Sequence, residues 1–418
     1  MAKLFPTVAW AQGSNIYEVN VRQYTVEGTF AAFREHLPRL QEMGVEILWL
    51  MPVTPISVEK RQGTLGSYYA CSSYTKINPE FGTVEDFRSL VNDVHARGMK
   101  IIIDWVANHT GCDHHWTKEH PEWYYKNEAG MFYDRNGWID VIDLDYSNAA
   151  MREAMIRSME YWIRECDIDG FRCDMAHLVP LDFWMTARKA CDAIKSLFWL
   201  AETENIEYHD VFDCTYAWDW MHKSDQFFRG HAPFHEFVHE TVRVTRLPVG
   251  CTKLMFTSNH DENSWNGTEY EKYGAAAKAL AVLSATYQAT PLIYSGQELP
   301  NEKQLRFFDK DEIAWEKGLK LDSFYGSLLG LRKYSNAVRY GELEILFSED
   351  EIFAFLRKHE ERLVLVILNL SGREKARIKL SSQYFDGVFE SVFSGLRYEF
   401  AFEMEFEPEP WGFIVYHR

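Results

Sequence analysis

Ile101-Ile102-Ile103-Asp104-Trp105-Val106-Ala107-Asn108-His109-Thr110 runs from three β-branched residues straight into a carboxylate, an amide and an imidazole. A short apolar run of this kind reads as a strand buried on both faces, and its polar end as the place where the strand leaves the sheet. The same grammar recurs in Gly170-Phe171-Arg172-Cys173-Asp174-Met175-Ala176-His177 and in Phe198-Trp199-Leu200-Ala201-Glu202-Thr203-Glu204. It recurs again where Leu254–Thr257 gives way to Ser258-Asn259-His260-Asp261-Glu262-Asn263.

Outward from these four segments, further strand candidates are Ile16–Val19, Ile47–Leu50, Val211–Cys214 and Leu292–Tyr294. Amphipathic helical patterns lie between them at Phe30–Met43, Val84–Arg97, Ala149–Arg164, Asp182–Lys195 and Tyr273–Tyr287. Strands alternating with helices over a domain of this size predict an α/β fold, a closed parallel (β/α)₈ TIM barrel. Residues 110–148, rich in Trp, Tyr, His and Gly, read as a short inserted subdomain after the third strand. After residue 337 the helical period stops. Runs at Ile352–Leu356, Leu363–Leu368, Ala376–Leu380, Val388–Val392 and Gly412–Tyr416 predict a C-terminal antiparallel β-sandwich. The expected division is a barrel over 1–337 and a β-domain over 338–418.

The formal net charge of −18 disfavours nucleic acid and anionic membrane as partners and suits a neutral ligand. Aromatic residues make up 15% of the chain, enough for a core and for stacking surfaces on which pyranose rings could lie. The seven cysteines fall inside apolar runs without a CxxC pair, which predicts buried thiols rather than a disulfide framework. Met1-Ala2-Lys3-Leu4-Phe5-Pro6 lacks the apolar stretch of a signal peptide, so the expected location is the cytoplasm.

In a barrel the active site lies at the C-terminal ends of the strands. Asp174, Glu202 and Asp261 would converge there from three strands. Hydrolysis of a glycosidic bond needs a proton donor for the leaving oxygen and a carboxylate to meet charge at the anomeric carbon. Arg172, two residues before Asp174, shares its inward face and would hold that carboxylate ionised, as a nucleophile requires. Alternation points Glu204 the same way as Glu202. Singly, each residue has a structural reading, an Asp after a strand being a common helix N-cap.

Together the four segments resemble the ordered motifs of the α-amylase family of glycoside hydrolases. Val141-Ile142-Asp143-Leu144-Asp145 resembles that family's additional motif, and Gly66-Ser67-Tyr68-Tyr69 with Tyr74 its segment after the second strand. The resemblance implies Asp174 as nucleophile, Glu202 as general acid/base and Asp261 as transition-state stabiliser. It implies Tyr69 stacked on the sugar, His109, Arg172 and His260 as donors around that sugar, and Asp104 as a supporting acid. His177 and Leu178 stand where many starch-degrading members carry Lys-His, so His177 becomes the candidate contact on the leaving-group side. Ala201 replaces the family's usual glycine before the acid.

No cofactor is needed for this chemistry. The resemblance raises a structural calcium held through Asn108 and Asp143, both oxygen donors of the type calcium takes. The implied substrate is an α-glucan or maltooligosaccharide. A transglycosidase, an α-glucosidase or a trehalose-forming isomerase would use the same residues, and a non-catalytic glucan-binding protein would not need all three carboxylates. Oligomeric state is not legible in the sequence.

Overall fold

Eight parallel strands close into a barrel in a computed structural model, which describes residues 4–318 and 320–418. Residues 1–3, part of the segment read for a leader, lie outside the described residues. The strands are β1 (Ile16–Val19), β2 (Ile47–Leu50), β3 (Lys100–Trp105), β4 (Gly170–Cys173), β5 (Phe198–Ala201), β6 (Cys214–Tyr216), β7 (Thr252–Met255) and β8 (Thr290–Tyr294). Each pairs with its neighbour in sequence, and β8 pairs with β1 to close the ring.

Period-two alternation divides the strands. Ile16, Ile47, Trp49, Ile102, Phe198, Leu200 and Leu254 share one apolar cluster, whereas Tyr17, Leu48, Ile101, Phe171 and Trp199 share another with the surrounding helices. A Cβ at Gly170 would lie 2.1 Å from the Phe198 carbonyl oxygen, so the glycine lets β4 and β5 start side by side.

Several barrel elements differ from the sequence reading. The sixth strand is Cys214–Tyr216, not Val211–Cys214, because Ile206–Asp210 is a 3₁₀ turn and the Phe212 amide still bonds back to Tyr208. The seventh is Thr252–Met255, not Leu254–Thr257. Its start is hidden by Lys253, a charged strand residue whose ammonium reaches the Tyr216 carbonyl and the Glu204 carboxylate. Phe30–Met43 divides into Phe30–Arg34 and Leu37–Met43, with Pro38 in the first turn of the second helix.

In residues 110–148 a two-stranded ribbon, His109–Gly111 against Val141–Asp143, bounds a short helix Trp116–Glu119. The C-terminal region holds β9 (Glu342–Glu349), β10 (Ile352–His359), β11 (Arg362–Asn369), β12 (Ile378–Ser381), β13 (Gly387–Ser391), β14 (Arg397–Phe400), β15 (Glu403–Phe406) and β16 (Phe413–His417). Six form an antiparallel sheet in the order β9-β10-β11-β16-β13-β14, and β12 pairs with β15 as a second layer. Phe353, Phe355, Val364 and Val366 face the barrel, while Ile352, Ala354, Leu356, Leu363 and Leu365 pack with Ile378, Phe389 and Phe406 beneath the second layer. Buried Arg357 donates to the Thr286 carbonyl, tying the sheet to the helix Ala277–Thr286. Cys71, Cys112, Cys166, Cys173, Cys191 and Cys214 are buried thiols. No helix among the described residues is long and apolar enough to cross a membrane.

Candidate active site

Arg172 is the hub of the barrel mouth. Fully buried at the end of β4, it donates from Nε to the Tyr216 hydroxyl (3.0 Å) and from Nη1 to both Asp104 (3.0 Å) and Asp174 (3.1 Å). Its Nη2 lies 2.8 Å from Glu202 Oε2, and the Trp49 ring packs 4.9 Å from the guanidinium. Burial works against the Arg172 charge, but Asp104 and Glu202 hold it protonated. One cation thus organises three carboxylates from three neighbouring strand ends.

Two features prepare Asp174 and Glu202. The Oδ1 of Asp174 is held by Arg172, while its Oδ2 is buried without a hydrogen-bond partner. Met175 takes a left-handed conformation (φ 39°), uncommon for a side chain of its size, and its amide donates to Glu202 Oε2 at 2.9 Å. Burial, and next the Glu202 charge, push Asp174 well above the usual carboxylate range against the pull of Arg172. The sequence reading expects Arg172 to hold this carboxylate ionised; burial and the neighbouring Glu202 oppose that pull. Burial raises Asp104 to about 6, with Arg172 opposing.

Across the mouth, Asp261 precedes a π-helical turn at Glu262–Asn266, an irregularity frequent at functional sites. His260 Nε2 lies 3.3 Å from Asp261 and 2.7 Å from the Tyr69 hydroxyl, which donates in turn to Asp104 (3.1 Å). Burial alone would lower the His260 pKa; Asp261 and Glu18 raise it to about 9. Of the two adjacent tyrosines, Tyr68 is buried under Arg22 and bonded to Asn20, whereas Tyr69 faces the cleft, its ring stacked near His260 and Phe307. Tyr74 is a structural residue, its hydroxyl donating to the Val106 and His109 carbonyls.

The cleft has two arms that meet at Met175, Glu202 and Asp261. The first is lined by Tyr69, His109, Asp174, Trp138, Trp265 and Phe307. His109 is buried against Trp138, and burial lowers its pKa to about 4, so it acts as a neutral imidazole. The second arm holds His177, exposed on a 3₁₀ turn after β4, with Trp218 and His222. Glu204 does not compete with Glu202: its carboxylate takes the Asp219 amide (2.8 Å) at a helix N-terminus and the Lys253 ammonium (2.5 Å).

Sequence reasoning missed Glu18, Trp49, Tyr216, Trp138, Trp265, Phe307 and Trp218. Glu18 was findable, being a carboxylate at an inward position of a strand otherwise wholly apolar or aromatic. Trp138 and Phe307 carry no pattern, because loops bring them to the cleft, whereas Trp49 and Tyr216 lie on strands.

Asn108 and Asp143 do come together, Nδ2 to Oδ1 at 3.2 Å. The other Asp143 oxygen accepts from the Arg135 guanidinium (2.6 Å) and backbone amide (3.2 Å), so a cation already stands on this carboxylate. Calcium takes six to eight oxygens, and no cluster of three or more His, Cys, Asp or Glu suited to a metal occurs among the described residues. Asn108 Oδ1 is buried here without a hydrogen-bond partner, so one oxygen donor is present while Arg135 occupies the Asp143 carboxylate.

Comparison with known proteins agrees with this geometry. The family described as the α-amylase catalytic domain matches residues 11–122 and 118–246. The chain is 26% identical over 401 residues to the α-amylase MalA of Haloarcula japonica, covering 89% of this chain but only 57% of that longer protein. Among solved structures, an α-amylase from Lactobacillus plantarum superposes with a TM-score of 0.88 at 29% identity, covering 97% of this chain and 99% of its own. A noncanonic maltogenic α-amylase from Thermotoga neapolitana gives 0.89 at 30%, covering 98% and 99%.

Proposed function

The chain belongs to the α-amylase family of glycoside hydrolases, and from that membership we propose that it hydrolyses α-glucans or maltooligosaccharides, mainly at α-1,4 bonds, by a two-step retaining mechanism. The observation that carries the reading is the Arg172 guanidinium shared by Asp174 and Glu202, with Asp174 Oδ2 unengaged. Neighbouring strands lie about 4.8 Å apart. That spacing supports the roughly 5–5.5 Å separation of retaining carboxylates over the wider gap of inverting ones.

In the first step the Asp174 carboxylate attacks the anomeric carbon while the bond to the leaving oxygen breaks and Glu202 protonates that oxygen. The product is a glycosyl ester on Asp174. In the second, the Glu202 carboxylate takes a proton from water as the water oxygen attacks the same carbon and Asp174 leaves. Two inversions restore the starting configuration. Asp261, paired with His260, faces the sugar where positive charge develops, and the tyrosine ring of Tyr69 offers a stacking face beside it.

The arm containing Tyr69, His109, Trp138 and Trp265 takes the sugar that becomes covalently bound, and the arm with His177 and Trp218 takes the leaving portion. The Arg135–Asp143 pair joins two parts of the insertion, and the Asn108–Asp143 hydrogen bond links the insertion to the segment after β3. Six buried thiols support work in a reducing compartment.

The test is covalent capture with a fluorinated α-glucosyl donor followed by peptide mass spectrometry. The label is expected on the peptide holding Asp174, and a label on any other carboxylate overturns the assignment. A product time course on maltooligosaccharides, with trehalose, sucrose and isomaltose alongside, separates hydrolysis from transfer and isomerisation.

A further inference from the structure

Glu18 lies in the middle of β1, wholly buried, with its side chain on the inward face beside the reacting groups. An ionised carboxylate in such a place costs several kcal/mol unless it is paired. One of its oxygens meets His260 Nδ1, and the other is buried without a hydrogen-bond partner.

The surrounding hydrogen bonds fix what His260 must be. Asp104 takes donors from Arg172, Trp49 and Tyr69, so it is an acceptor and the single Tyr69 proton points to it. The Tyr69 oxygen is then left to accept at 2.7 Å, and His260 Nε2 must donate to it. Nδ1 faces Glu18 Oε1 and donates to it when Glu18 is ionised; burial pushes the Glu18 carboxyl upward, and His260, with Arg172 behind it, pulls it back down. Both ring nitrogens then carry hydrogens.

We propose that Glu18 is a positioning residue for the glycosidase reaction: it fixes His260 as an imidazolium whose Nε2–H faces Tyr69 and Asp261. This deepens the proposed function and rests on it for its catalytic meaning. The charge opposite Asp261 keeps that carboxylate ionised and aimed at the sugar, and the same ring holds Tyr69 in its stacking orientation.

Other charged and titratable groups face the ring from the neighbouring strands. Asp261 adjoins it, Asp104 reaches it through Tyr69 from β3, and Arg172 opposes its charge from β4. Tyr216 on β6 and Tyr294 on β8 face Glu18. Of the two anions raising the pKa of His260 to about 9, Glu18 is the one that no solvent reaches. The proton is thus present below about pH 9 and lost above it, and removing the Glu18 charge moves that loss to lower pH.

The experiment is a pH titration of the full-length protein with ¹⁵N-labelled histidine, with His260 assigned from the spectrum of His260→Gln. The same titration of Glu18→Gln keeps an acceptor but removes the charge, and kcat/KM on a maltooligosaccharide is followed over the same pH range. Expected are a doubly protonated His260 at pH 7 in the wild type and a midpoint lower by about one pH unit or more in Glu18→Gln, with the alkaline limb of kcat/KM moving by the same amount. A merely structural Glu18 lowers Tm and leaves both midpoints in place, which overturns the proposal. So does a neutral His260 at pH 7 in the wild type, a result that needs no variant to fold. Should the midpoint shift as expected while neither protein turns over any α-glucan, the Glu18–His260 coupling stands and the glycosidase reading fails.

Discussion

In the C-terminal sheet, buried Phe353, Phe355, Val364 and Val366 face the barrel and buried Ile352, Leu356 and Leu365 face the second layer. At the barrel mouth, positions as deeply buried hold Glu18, Asp104, Arg172, Asp174 and Glu202. The sheet gains stability from both faces, because apolar area is removed from water throughout. The mouth gains little: charges taken from water lose hydration that their mutual attraction only partly returns. One region is built to hold, the other to react, and substitutions in the two should therefore separate activity from stability.

The largest separation is expected at Asp174. Asp174→Asn should reduce kcat/KM by about 10⁴-fold or more, roughly 5 kcal/mol of transition-state stabilisation. Its Tm should stay level or rise, since one buried like-charge contact disappears. A large fall in Tm would mean that the mouth carries the fold after all. Phe355→Ala makes the opposite case. Truncating this ring beneath Tyr287 should cost about 3–5 kcal/mol of stability while turnover per folded molecule stays near normal. Loss of turnover in protein shown to be folded would couple the two regions.

Tyr69 tests the border between them, since it both packs and faces the cleft. Tyr69→Ala should lower kcat/KM by about one to three orders of magnitude, about 1–4 kcal/mol. If Tm falls instead and kinetics are near normal, Tyr69 belongs with the packing residues. The smallest effect is expected at Arg135, whose exposed guanidinium discounts the pair. Arg135→Ala should lower Tm by the equivalent of about 1–2 kcal/mol, with a chelator leaving the wild-type Tm unchanged. A chelator that destabilises the wild type would restore the metal to Asn108 and Asp143.

Legibility in the sequence followed the same division. Strands β1, β2, β4 and β5 could be bounded to the residue, because each is apolar save for one inward charge in β1 and β4 and is ended by a turn or a polar cluster. β6 and β7 could not. Val211 and Phe212 are apolar yet lie in a turn, and Lys253 is charged yet lies in a strand, its ammonium satisfied by partners far along the chain. Strands β9, β14 and β15 also escaped notice, their exposed charges giving weak alternation. In the site, Asp174, Glu202, Arg172 and His260 announced themselves by following strands, and the structure brings them together. Trp138 and Phe307 sit on loops whose positions no local pattern encodes. The resemblance already places the acid at Glu202 rather than Glu204; the structure adds why Glu204 is unavailable, its carboxylate consumed by a helix end and Lys253.

Everything else depends on Asp174 and Glu202 acting as a nucleophile and an acid/base in two successive displacements. The most direct measurement is proton NMR of the first sugar released from a maltooligosaccharide, recorded before mutarotation equilibrates the anomers. Two displacements predict that the new reducing end appears as the α-anomer and drifts toward equilibrium afterwards. A first-formed β-anomer would mean a single displacement by water, and would contradict the roles of both carboxylates.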